Sequence, residues 1–588
     1  MRMKRWTRYL TIFLVTAGAI GLVASLGLGR ADAVDTYLPR TVAADDQSRQ
    51  LYDDFTLMRF ILNQVGQAYY EEVDVHDVAI AGLKGMMSVL DPYSDFFVEQ
   101  QDQGIVADLE ITTTGTYSGI GATIGYTGGE LSIVAPMKGS PAQAAGLQPG
   151  DVIAAIDETP SRTFSTAHAA SLIKGPEGTE VTLHIDREGI PELMEFTITR
   201  AEIKVNDVSA AVFAEPGIAY IEIARFSANS GRFLEEALDS LAAEQPIEGI
   251  ILDLRGNPGG LLDEALAVAE PFFGPGEIIV STRGRIESMN AVFRSRNEQL
   301  YDGRLAVLVN VASASASEIV AGAVQDLDRG IIVGENTWGK GLVQSVAEIV
   351  SDHIIRLTTG QYYTPSGRTI QRPFVRNATG NLVPRNPNAP DTTDHPTFES
   401  RNGRTVTGGG GIVPDLEAEG IRGNLMLFAL KFRQSMFLRY VNHYVNTHGV
   451  SEGTAVNVTD DLLDDFRRWC EESGFEYESP TEMVLNQLLE TAEAENMAAD
   501  LEPEIENLRR AINREENELW VQSREGIALE LRREFAAKQF GYERGQLVYM
   551  QSDDQFQAAL EVLRDPDRYE EMLSGPTGSG ADTGGGHP

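Results

Sequence analysis

Two stretches carry residue types that could do chemistry together: the serines of Ser313-Ala314-Ser315-Ala316-Ser317-Glu318 and the lysine of Trp338-Gly339-Lys340-Gly341. Upstream of the serines, Leu305 to Val309 is an apolar run ended by Asn310, which reads as a buried strand. Downstream, Ile319, Val320, Ala323 and Val324 recur at helical spacing, so a helix is expected over about 315–325. A serine between a buried strand and a helix N-terminus is well placed as a nucleophile. The first N–H groups of the helix lack internal partners and can face an oxyanion. The plainer alternative is a tight turn whose serine caps the helix.

Lys340 follows a second apolar run, Ile331-Ile332-Val333, and has glycine on both sides. Those glycines let the backbone approach its neighbours closely. One alternative is a solvated lysine on a surface turn. Another is a phosphate loop, since Gly334 to Lys340 matches G-x-x-x-x-G-K. Against it, Gly341 stands where a magnesium-binding hydroxyl is needed, and Glu335 would repel phosphate. A serine–lysine pair demands a neutral lysine. Burial must then bring the amine from about 10.4 towards 7, at about 4 kcal/mol relative to the charged form in water.

The elements that must hold these residues alternate between strand and helix over about 205–375, which argues for a layered α/β domain. Ala219 to Ile223 reads as a strand. Ile250 to Arg255 starts apolar, ends in charge and runs into Gly256-Asn257-Pro258-Gly259-Gly260, then into a helix carrying Leu262, Ala265, Leu266 and Ala269. The glycines alone would suit a plain tight turn. Ahead of this domain, 46–90 is expected to be helical, with Leu51, Phe55, Met58, Ile61, Leu62 and Val65 as an apolar packing face, closed by a turn at Leu90 to Phe96. Beyond about 420 the chain reads as acidic helices, including Leu425 to Phe432 and a helix from Leu501 carrying Ile505, Leu508 and Ile512, expected to pack on the core.

Residues 105–202 resemble a PDZ domain. The resemblance rests on Ser118-Gly119-Ile120-Gly121, the short strand Ala122-Thr123-Ile124, the Gly128-Gly129 turn, Gly139-Ser140-Pro141, and Pro149-Gly150-Asp151 before Val152 to Ile156. It implies that Gly119, Ile120 and Gly121 hold a peptide's terminal carboxylate while the peptide adds a strand to the sheet. His168 and Leu172, on a helix over about 165–174, would wall the groove. Three further stretches resemble, in order, the motifs of the carboxy-terminal processing proteases, also called tail-specific proteases: Asp253 to Gly260, Ser313 to Glu318, and Gly339 to Gln344. Leu90 to Phe96, Tyr363 to Arg368 and Gly411 to Asp415 add to the likeness, which covers roughly 46–418. It implies Ser315 as nucleophile, Lys340 as general base and Gln344 as the residue orienting it. The oxyanion hole would be the N–H groups of Ala316 and Gly259, with Glu318 in support. Trp338 stands where Phe is common, and Leu342 where Thr is common. The implied fold is an α/β protease core of Clp-protease/crotonase type with an inserted α+β PDZ domain and helical N- and C-terminal regions.

Six segments follow: 1–33 as signal peptide or membrane anchor, 46–104 as an N-terminal helical segment, and 105–202 as the PDZ domain. The protease core is expected at 203–420, an acidic helical domain at 421–573 and a Gly-rich disordered tail at 574–588. Arg2, Lys4, Arg5 and Arg8 precede an uncharged stretch from Tyr9 to Gly29, long enough for a bilayer span and oriented for export. An uncleaved anchor in the inner membrane is expected, although Ala31-Asp32-Ala33 offers a cleavage site that would leave a secreted enzyme in the periplasm or envelope. The net charge of −39 argues against nucleic acid and anionic lipid as partners of the soluble part. Cys470 is the only cysteine, so intramolecular disulfides and multi-cysteine zinc sites are excluded. No metal or cofactor is called for. The expected function is an extracytoplasmic serine endoprotease acting on unfolded or C-terminally exposed proteins, with an adaptor or a second copy of the chain left open as partner. The alternative is a catalytically silent PDZ scaffold that binds C-terminal peptides.

Overall fold

The computed structural model describes residues 46–575, apart from 100, 128, 188–189, 351–352, 379, 387–394, 422, 434, 452, 476, 478 and 496. The expected leader at 1–33 and nearly all of the expected tail lie outside the described residues. Among those described, no helix is long and apolar enough to cross a membrane.

The chain divides into two compact units, 1–85 and 86–588. The described part of the first is helical, from Asp46–Ala68 and the start of Val75–Met87. Its expected packing face is largely open, with Leu51, Phe55, Met58 and Ile61 all exposed.

In the second unit, a six-stranded sheet forms the centre of the core. Its order is Val208–Glu215, Ile218–Ile223, Gly249–Asp253, Arg304–Val309, Ile331–Gly334 and Leu416–Glu417. The first pair is antiparallel and the rest are parallel. Strands buried on both faces read as continuous apolar runs, which is why Ile250-Ile251-Leu252 and Leu305 to Val309 are wholly buried. Alternation decides the face each side chain takes. Ile250, Leu252, Leu305, Val307 and Val309 meet the crossover helices Ser230–Glu244, Leu262–Ala269 and Ala316–Asp326. Ile251, Ala306, Leu308, Ile331 and Val333 meet Phe556, Leu560, Leu563 and Tyr569 on the other side. The core therefore does not close at 420, because helices Asp554–Arg564 and Pro566–Leu573 supply its second face. Nor is 46–104 helical throughout. Asp95–Val98 is a strand, paired antiparallel with His353–Tyr363 in a five-stranded sheet.

The PDZ segment is an antiparallel sheet in the order Ala122–Thr127, Glu130–Pro136, Val152–Ile156, Glu180–Asp186 and Met194–Thr199. A ribbon of Thr116–Gly119 with Ala201–Lys204 closes its entry and exit. Of the remaining C-terminal helices, Met436–His448, Asp460–Glu472 and Arg524–Phe540 share a core of Phe437, Tyr440, Phe466 and Phe535. Cys470 is buried there, and burial pushes its thiol up.

Phe556 stands edge-on to Tyr220, with ring centroids 5.6 Å apart, and both are fully buried. Phe556→Ala in the full chain is expected to cost about 3–5 kcal/mol through lost burial and the cavity left behind. A denaturant titration reads this as an earlier transition of the protease core. An unmoved transition would mean that the C-terminal helices are not part of that core.

Candidate active site

Three neighbouring parallel strands, Gly249–Asp253, Arg304–Val309 and Ile331–Gly334, end on the same edge of the sheet. Crevices outside the carboxyl ends of such strands are where ligands bind. The loops leaving them carry Gly256 to Gly260, Asn310 to Ser315 and Glu335 to Lys340. Buried serines tie these loops together. Ser313 Oγ donates to Leu254 O at 2.8 Å and Ser317 Oγ to Asn257 O at 2.9 Å. The Ala314 N–H also reaches Asn257 O, at 3.0 Å, and the Trp338 N–H reaches Ser313 O at 3.0 Å.

Ser315 is held at φ 54° and ψ −109°, on the first step of the helix Ala316–Asp326. A non-glycine residue with such a φ is strained and needs its surroundings to hold it. Glu318 does most of this. Its carboxylate is fully buried and accepts four donors: the Ser315 N–H at 2.8 Å, the Thr337 hydroxyl at 2.5 Å, the Gly339 N–H at 2.7 Å and the Lys340 N–H at 2.9 Å. Burial pushes this carboxyl up, while the four donors favour its charged form. Thr337 is fixed in turn by the Ile412 N–H, 2.7 Å from its hydroxyl, which gives the Gly411 to Asp415 motif a role beside the site. Gly339 must be glycine, because φ is +86° and a Cβ would lie 2.7 Å from the Arg372 Cβ.

Lys340 Nζ donates to Gln344 Oε1 at 3.1 Å and lies 4.8 Å from the centre of the Tyr93 ring. Burial, and secondarily the Arg356 charge, bring its amine down to about 8, against opposing pulls from Glu318 and Asp91. Tyr93 is the socket for this end of the site. Its carbonyl accepts Gln344 Nε2 at 3.1 Å and Arg356 Nε at 2.9 Å, and its hydroxyl accepts the Trp338 indole N–H at 3.0 Å. Asp91 fixes the turn by accepting the N–H groups of Tyr93 and Ser94. Tyr93 and Arg356 escaped the reading of the sequence. The Leu90 to Phe96 motif was the available signal for Tyr93, and nothing local marked Arg356.

The structure thus gathers Ser315, Ala316, Glu318, Lys340 and Gln344. No hydrogen bond joins Ser315 Oγ to Lys340 Nζ among the described residues, although one carboxylate joins their backbones. In sites without substrate such contacts are commonly long. The Ala316 N–H, at the first helical position, has no intrahelical partner. Gly259 lies directly against the serine, at φ +96°, where a Cβ would sit 2.8 Å from Ser315 Cβ. Its N–H departs from expectation. It donates to Asn257 Oδ1 at 2.9 Å, an Asx turn, and as the loop stands it is not free for an oxyanion.

In the PDZ domain, Ala122–Thr127 is an edge strand with helix Thr166–Ile173 beside it. Gly119 ends the preceding strand and Ile120 is buried. Gly121, at φ +74°, leaves room for Ser140, whose Cβ would lie 2.4 Å from a Cβ there. His168 is exposed, with its ring edge-on to Phe164, and Leu172 is half-buried against the domain core.

Three family models match the chain: peptidase family S41 over residues 217–377, a PDZ domain over 132–187, and the C-terminal helical domain of a probable PDZ-protease over 427–563. A carboxyl-terminal-processing protease from a Synechocystis species is 40% identical over 298 residues, which is 49% of this chain and 68% of that protein. A carboxy-terminal-processing protease from Bartonella bacilliformis is 36% identical over 321 residues, 54% of this chain and 72% of that one. Among solved structures, the photosystem II D1 C-terminal processing protease is similar at 27% identity and a TM-score of 0.32, over 56% of this chain and 85% of its own.

The position of Lys340 has a thermodynamic consequence. Its folded value of about 8 lies below that of a free lysine. Below pH 8 the folded state therefore carries the whole penalty of about 3 kcal/mol. The penalty fades as pH rises towards the free-lysine value of about 10.4. Lys340→Met is expected to unfold later than the unaltered chain at pH 7 and level with it near pH 10.5, by thermal melts at both. Earlier unfolding at pH 7 would contradict the buried, depressed amine.

Proposed function

Since the chain belongs to peptidase family S41, among its carboxyl-terminal-processing proteases, and is a serine-type peptidase with a PDZ domain, we propose that it works as an extracytoplasmic Ser/Lys endoprotease taking substrates by their C-termini. The observation that carries this reading is the clamp of one buried carboxylate on the backbones of Ser315 and Lys340.

In the proposed reaction, neutral Lys340 Nζ takes the Ser315 Oγ proton as Oγ attacks the peptide carbonyl carbon. The C–O bond forms and negative charge moves to the carbonyl oxygen, where the Ala316 N–H donates to it. The tetrahedral species collapses, the C–N bond breaks, and the lysine proton goes to the leaving amine. Water then attacks the acyl-enzyme carbonyl, giving a proton to Lys340. The second tetrahedral species collapses, the ester C–Oγ bond breaks, and the lysine proton returns to Oγ, releasing the acid and restoring Ser315 and neutral Lys340. Gln344 holds the amine in place throughout. No histidine takes part.

The edge strand Ala122–Thr127 and the adjoining helix support recognition of an extended peptide as an added strand. In this reading Gly119, Ile120 and Gly121 receive the terminal carboxylate, and His168 and Leu172 border the side chains before it. The basic residues ahead of Tyr9 to Gly29 support export, with that stretch as the anchor.

The test uses the full chain with an unfolded substrate ending in apolar residues, beside the Ser315→Ala variant and a C-terminally amidated substrate. Cleavage is expected only with Ser315. Amidation is expected to raise KM several-fold at nearly unchanged kcat, because it removes binding shared by ground and transition states. Cleavage by Ser315→Ala, or by neither form, would overturn the catalytic assignment. Equal handling of the amide would overturn recognition through the terminus.

A further inference from the structure

A buried ionic cluster lies beneath the catalytic loops, and the proposed mechanism does not use it. Arg255 sits two residues past the strand Gly249–Asp253, where the chain turns into Gly256 to Gly260, and every N–H of its guanidinium has a partner. Nε donates to Asp253 at 3.0 Å. Nη2 donates to Asp253 Oδ2 at 2.7 Å and to Met550 Sδ. Nη1 donates to Asp553 Oδ1 at 2.8 Å and to Gln555 Oε1 at 3.0 Å. The side chains of Asp253 and Asp553 are 5% and 3% exposed. Asp253 is fixed from its far side by the Tyr220 hydroxyl, at 2.9 Å.

Asp553 and Gln555 come from the far end of the chain. Asp553 caps helix Asp554–Arg564, since its Oδ1 also accepts the Phe556 N–H at 2.8 Å. Phe556, Leu560 and Leu563 of that helix are clamped on the second face of the sheet. Gln555 reaches a second place as well, donating to Ala418 O at 2.9 Å just past the last core strand. The cluster therefore ties a rigid helix to the start of the 256–260 loop. That loop holds Ser315 from below, through Asn257 O and the close approach of Gly259.

We infer that Asp553 and Gln555 are positioning residues for the reaction, setting through Arg255 the 256–260 loop against which Ser315 and its oxyanion stand. The C-terminal helices then serve catalysis as well as stability. A planar guanidinium with all its donors matched has one orientation, whereas a helix bearing only apolar contacts could slide. A small displacement of such a loop carries a large rate cost, about a hundredfold for 1 Å.

The inference rests on Ser315 as nucleophile, which the Ser315→Ala result judges separately. The test is Asp553→Ser in the full chain, which keeps a helix-capping side chain but is too short to reach Arg255. Arg255→Lys probes the same link from the other side, keeping a cation but not the fork. Asp565→Ser, at the cap of the last helix, is the control. Turnover of the peptide substrate and affinity for a peptide aldehyde, which adds reversibly to the active serine, are measured with melting temperature. Asp553→Ser and Arg255→Lys are each expected to lower kcat and aldehyde affinity by the same factor, at least about tenfold, at unchanged KM. Asp553→Asn, which can still accept from Arg255, should restore most of the loss, and Asp565→Ser should leave kcat alone. A lowered melting temperature with kcat and aldehyde affinity intact would make the cluster merely structural and overturn the inference. A rise in KM alone would overturn it too.

Discussion

One buried carboxylate holds Ser315 and Lys340, the proposed catalytic pair, together. Glu318 has no access to water, so its charge is tolerable only because four donors surround it. Those donors sit on two loops that leave adjacent parallel strands. Releasing either loop would leave polar groups buried without partners, at about 1–3 kcal/mol each. The same bonds hold Ser315 in a backbone conformation that L residues rarely adopt, a strain of about 1–3 kcal/mol. The serine's position therefore follows from the accommodation of Glu318, and the loops around it follow from the serine.

The lysine shows a second balance. Burial and the Arg356 cation make its charged form less favourable, while the Tyr93 ring and the carboxylates of Glu318 and Asp91 act the other way. Burial wins, as the proposed role of general base near neutral pH would require. The cost is borne by folding, and the extensive core on both faces of the sheet can bear it. Helices from the C-terminal end complete that core, so the region with the weakest catalytic signature in the sequence is bound into the catalytic domain.

Much of this was legible in the residues. The apolar runs before Ser315 and Lys340 are strands because parallel strands are buried on both faces and need apolar residues throughout. The helix after Ser315 followed from the spacing of Ile319, Val320, Ala323 and Val324. What stayed hidden depends on contacts that local sequence does not encode. Tyr93 looked like part of a turn, and it works through its carbonyl and ring once Asp95–Val98 pairs with His353–Tyr363. Asp553 looked like one acid among many in an acidic region, and its partner Arg255 lies just past the end of a remote strand. Asn257 is different. An Asn-Pro-Gly turn tends to capture the N–H two residues on, and that tendency foretells the engaged N–H of Gly259.

The most direct test of the Glu318 clamp is kcat for the Glu318→Gln variant. The amide keeps the size of the side chain but turns an NH2 towards two of the four donors, so at least one buried backbone N–H of the clamp loses its acceptor. Glu318→Gln is expected to be a folded protein that binds C-terminal peptides normally and turns over at least about a hundredfold more slowly. A Glu318→Gln enzyme with kcat within about threefold of the unaltered chain would show that the serine and lysine are held by something else.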